Sequence, residues 1–144
     1  MVAVGQDVGR QTLVRYRREF EELRDREDPL ALALRLVRDR CRLRLNQAWY
    51  ELAMAARTSS GLRKALRPMA RAYYEDIERL ARELLPDLAA AMGDRFGSLV
   101  GTIIAVFDGE MVRRFVLPSP ASERERFELL DALARALSSG RLRR

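Results

Sequence analysis

From Leu13 onward, apolar side chains return at intervals of three and four. Leu13, Tyr16, Phe20 and Leu23 share one face of a helix that closes in the charged stretch before Pro29. Asp28 reads as the N-cap of a second helix, with Pro29 at its first position. Leu30, Leu34, Val37, Cys41, Leu45, Ala48 and Leu52 then continue as one stripe with neither glycine nor proline before Gly61. That stripe predicts either one long bent helix or two helices meeting near residues 41 to 46. Thr58, Ser59, Ser60 and Gly61 make a turn, after which Leu62, Leu66, Met69, Tyr73, Ile77, Leu80 and Leu84 keep a seven-residue rhythm. Pro68 inside this helix removes a backbone donor and crowds the carbonyl of Lys64, so a kink is expected there.

Pro86 ends or restarts the helix, Asp87 to Gly93 reads as a short helical turn, and a long helix is predicted from about Asp94 to Leu117. Beyond Pro118 and Pro120, Ser122-x-x-Glu125 reads as a capping box opening a last helix, with Phe127, Leu130, Leu133, Ala134 and Leu137 as its apolar side. The pattern therefore predicts an all-α domain of about five to six helices over residues 11–140. A loose leader (residues 1–10) precedes it and a basic tail (residues 141–144) follows.

Two segments carry more than a single packed face requires. The helix from Asp94 to Leu117 has Leu99, Val100, Ile103, Ile104, Val106, Phe107, Met111, Val112, Phe115 and Val116 all round its circumference, and so needs neighbours on two sides. Gly97, Gly101 and Ala105 form a small-residue line that permits close helix approach. With the last helix, they predict a homodimer through Gly97, Gly101, Ile104, Ala105, Asp108, Phe115, Phe127, Leu130, Ala134 and Leu137. The middle helices concentrate large, partly polar side chains suited to a ligand cavity. The candidates are Asn46, Trp49, Tyr50, Met69 and Tyr73, with Phe107 and Met111 from the later helix. The competing reading is that Trp49, Met69 and Tyr73 simply fill a core.

Composition narrows the chemistry. The chain has 144 residues, 48% of them hydrophobic, which is material for one core. Its net charge of +6 invites a nucleic-acid reading. The arginines between Arg10 and Glu27 are nevertheless interleaved with acids, and Lys64 is the only lysine among 27 basic residues. With no histidine and Cys41 as the only cysteine, neither an internal disulfide nor a multi-cysteine zinc site can form, and neither cofactor nor metal is expected. Cys41 reads as a small buried apolar residue. Acid pairs such as Glu75 with Glu78 and Glu123 with Glu125 are flanked by arginines at helical spacing, the pattern of salt-bridged faces, so the chain is not expected to be an enzyme. No apolar run approaches the roughly 20 residues needed to span a bilayer, and no signal-peptide pattern opens the chain. A cytoplasmic protein without a membrane partner is predicted.

Asp28-Pro29-Leu30 at a helix start, Trp49 to Thr58 followed by Gly61-Leu62-Arg63, and Phe107-Asp108-Gly109-Glu110-Met111 in the penultimate long helix resemble the C-terminal sensor domain of TetR-type transcriptional regulators. The likeness covers about residues 11 to 138. It implies a homodimer whose last two helices form a four-helix bundle, and a pocket among the middle helices for a small, mainly apolar effector. Only about ten residues precede the first helix, so the expectation is that the N-terminal helix-turn-helix is missing and that DNA is contacted only through such a head. The alternative function is a headless protein-interaction module that pairs with a partner regulator without a ligand.

Overall fold

The computed structural model describes residues 14–23, 25 and 28–139. The predicted leader and basic tail, with Leu13 and Gly140, lie outside the described residues. Residues 14–23 form helix α1. It is followed by α2 (Pro29–Cys41), α3 (Arg44–Ala55), α4 (Ser60–Leu84), α5 (Pro86–Met92), a 3-10 turn (Gly93–Arg95), α6 (Phe96–Arg114) and α7 (Pro120–Ser138). The fold is all-α, and no strand occurs among the described residues.

Asp28 caps α2 as its sequence predicts, its carboxylate accepting the Ala31 N–H at 2.9 Å while Pro29 stands at the first position. The long glycine-free stripe resolves into two helices. Leu43 leaves the helical region with ψ 147, although Cys41 to Arg44 contains no residue that breaks a helix by itself. Side chains hold the corner open. Asn46 Nδ2 donates to the Arg40 carbonyl at 2.9 Å, and Arg42 reaches Glu123 of α7 at 2.9 Å. Both contacts satisfy or anchor groups that a continuous helix would direct elsewhere.

Ser59 caps α4 by accepting from the Leu62 N–H, and α4 runs as one element through Pro68, which lies on its exposed side. Leu85 breaks the helix and Pro86 opens α5. Gly93 then adopts φ 54, a left-handed backbone that favours glycine, and turns the chain through the 3-10 segment into α6. The predicted Asp94–Leu117 helix is therefore shorter at both ends. The capping box is corrected too: α7 begins at Pro120 behind Ser119, which places Ser122 inside the helix, where its Oγ accepts from the Ser119 hydroxyl at 3.1 Å. Proline's fixed φ suits the first helical position better than the interior, and that preference wins.

Two clusters form the core. Leu34, Cys41, Phe107, Met111 and Leu130 join α2, α6 and α7, while Phe20, Leu32, Ala33 and Leu36 join α1 to α2. Buried acids lock the seams. Glu110 pairs with Arg126, and Glu123 pairs with both Arg42 and Arg114. By length and composition the segment Pro86–Arg114 is apolar enough to cross a membrane. Its helix is interrupted at Gly93–Arg95, and one face of α6 is taken up by α2, α4 and α7.

Candidate functional site

Between α2, α4 and α6 lies a cavity of about 100 Å³, closed at one side by Tyr16 of α1. Its existence follows from side-chain size. Leu34, Val37, Ile77, Leu80, Phe96 and Ile103 line it from three helices, and their packed volumes leave a gap. One end is polar, formed by Arg40, Cys41, Asn46, Tyr73, Tyr74 and Asp108.

The polar groups there are mostly engaged. Tyr16 donates its hydroxyl to the Ala33 carbonyl at 2.8 Å, and Arg40 pairs with Glu19 at 2.7 Å. The Tyr50 hydroxyl donates to Asp108 Oδ1 at 2.5 Å, and the Cys41 thiol sits in hydrogen-bonding contact with both. Burial pushes the Cys41 thiol up to about 12, with the Asp108 charge adding to the effect. Burial likewise raises Tyr73 to about 12, helped by Cys41 and Asp108, and it raises Tyr50, Tyr74 and Tyr16. All these groups therefore stay protonated at neutral pH and can only donate or accept as neutral dipoles. Arg40 is ion-paired with Glu19, whereas no cation pairs with Asp108 among the described residues.

Of the residues singled out for a ligand, Asn46, Trp49 and Tyr73 line the cavity. Tyr50 stands behind it, bonded to Asp108. Met69, Phe107 and Met111 do not line it. Phe107 and Met111 are 1% and 4% exposed because the α2–α6–α7 core consumes them, and Met69 lies on a part of α4 beyond the cavity wall. Sequence reasoning missed Tyr16, Arg40, Cys41 and Tyr74 as lining residues. An open groove of about 560 Å³ between α3 and the first half of α4 shares the Trp49 wall and carries Arg63, Lys64 and Arg67.

The residues singled out for dimerisation also divide. Ile104, Leu130 and Ala134 are buried within the chain itself, and Phe127 is half-buried against Phe107. Gly97 lies against the Glu78 carboxyl group of α4, and Asp108 lines the cavity; both are half-buried. A helix with apolar residues all round does not reveal which of them turn inward; the partner helices decide. Gly101, Ala105 and Phe115 face outward, and Leu137 is half-buried. Val112, Val116, Leu129 and Leu133 extend the exposed apolar face.

The fold and site define an all-α domain with an internal, mainly apolar cavity. The chain is 32% identical over 136 residues to uncharacterized HTH-type transcriptional regulators of Mycobacterium bovis and of two strains of Mycobacterium tuberculosis, covering 94% of this chain and 69% of each relative. It belongs to that family of HTH-type transcriptional regulators. No protein-family model matches it, and no solved structure does.

Proposed function

We propose that this chain supplies the effector-binding and dimerisation part of a TetR-type regulator, sensing a small, mainly apolar molecule in the α2–α4–α6 cavity. The partly open cavity with a polar end carries the reading, since close-packed interiors leave few such spaces. Tyr16 lines it from α1, and α1 is also tied to the cavity wall by the pairing of Glu19 with Arg40. A molecule filling the space therefore acts directly on the first helix, the route by which occupancy reaches a DNA-reading helix-turn-helix. The exposed apolar residues of α6, α7 and the turn between them, with Val116 at 79% and Phe115 at 63% exposure, fit burial against a second copy of the chain.

Trp49 is the sole tryptophan and lines the cavity, so its emission reports occupancy. A small-molecule screen read by Trp49 fluorescence and by thermal denaturation should find compounds that change both. If none does, the ligand reading fails and a ligand-free interaction module takes its place. Light scattering at micromolar concentration should show a dimer; a monomer refutes the second half of the proposal.

A further inference from the structure

Resting on the cavity reading above, we infer that the preferred occupant is a compact organic cation, an alkylammonium of a few carbons, held by Asp108. Size sets the first limit. The cavity measures about 100 Å³, below the roughly 150 Å³ apolar space that takes benzene, so the occupant is smaller than an aromatic ring.

Charge sets the second. Two ionisable side chains of opposite sign reach the cavity, but Arg40 is already neutralised by Glu19 at 2.7 Å. Asp108 accepts only from neutral groups, the Tyr50 hydroxyl at 2.5 Å and the Cys41 thiol, and no described cation pairs with it. A carboxylate in a space walled mainly by carbon gains most from a positive partner, because little solvent screens the attraction. Tyr73 and Tyr74, whose rings meet edge to face at 5.8 Å, stand at the same end, and Trp49 lines the same cavity. Aromatic rings attract ammonium groups, a preference that a bound anion would not satisfy. The cations Arg63, Lys64 and Arg67 line the neighbouring groove and not this cavity.

The test titrates the full chain with propylamine, 1-propanol and propionate at neutral pH, following Trp49 emission and calorimetry. Propylamine should bind about tenfold or more tightly than 1-propanol, the discrimination of one charge-assisted contact, with propionate weakest. Asp108→Asn, which can still accept from Tyr50, should erase the preference of the amine over the alcohol. Should that variant misfold by circular dichroism, Tyr50→Phe provides a second route: freeing Asp108 from its hydroxyl donor should tighten propylamine relative to 1-propanol. Equal binding of the amine and the alcohol, or preference for propionate, overturns the cation while leaving the cavity reading intact. If none of the three binds, the cation inference is overturned, and the broader screen then decides the cavity reading by itself.

Discussion

Glu123 ties three elements together. It is 7% exposed near the start of α7, with Arg42 from the α2–α3 corner at 2.9 Å on one oxygen and Arg114 from the end of α6 at 3.2 Å on the other. Truncating Arg42 or Arg114 alone to alanine leaves the carboxylate one cation. Because the arginines are 29% and 38% exposed, each single change should cost only about 1 to 2 kcal/mol, toward the low end for charged hydrogen bonds. The double truncation leaves a buried carboxylate with neither partner and should cost about 3 to 5 kcal/mol, more than the sum of smaller single effects. In a Glu123→Gln background, where no charge is stranded, the same truncations should cost less than about 0.5 kcal/mol each. Urea unfolding followed by circular dichroism, at fixed protein concentration because association would shift the midpoint, provides the three differences. Additivity of the arginine truncations within about 0.5 kcal/mol, or unchanged costs in the Gln background, would refute the claim that the buried charge organises this corner.

Phe107→Ala should destabilise by about 3 to 5 kcal/mol in denaturant unfolding, since a side chain 1% exposed leaves a cavity between α2, α6 and α7. Val116→Ser, at a position 79% exposed, should leave monomer stability within about 0.5 kcal/mol while weakening self-association in sedimentation or light scattering. The Cys41 thiol, raised by burial from 9.0 to about 12, should resist alkylation at pH 8 in the folded chain and react once denaturant is added. Because the unfolded thiol ionises first, its contribution to stability is complete below about pH 9 and is lost as pH climbs toward 12. Asp28 has the opposite sign. Its bond to Arg135, then that from the Ala31 N–H, lowers its pKa, so its contribution is present above 3.8 and disappears as pH falls below that value. Arg135→Ala should flatten that acid limb of the unfolding curve.

Helix identity was legible throughout because a periodic apolar stripe, a capping Asp28 and a terminating Pro86 act within a few residues of themselves. Asp28 caps its helix in the structure as its sequence position requires. The α2–α3 corner was legible only as one of two alternatives, since no local residue breaks the helix and its anchor, Glu123, lies 81 positions from Arg42. The capping box failed for a related reason: two serines and a proline compete for one helix start, and the proline's fixed backbone decided it.

The candidate site divides the same way. That large aromatic and amide side chains crowd the middle helices is a property of the chain, and Asn46, Trp49 and Tyr73 do surround one space. Which face of α6 turns inward is not such a property, because a helix apolar on every side carries no orientation of its own. Sequence alone set the expectation that α6 needs neighbours on two sides. Only the packing of α2, α4 and α7 against it decided that Asp108 lines the cavity and Gly97 lies against Glu78, while Gly101, Ala105 and Phe115 are left facing out. Amphipathicity is encoded residue by residue, whereas the choice between two equally apolar faces is settled by the volume and charge of side chains that arrive from elsewhere in the chain.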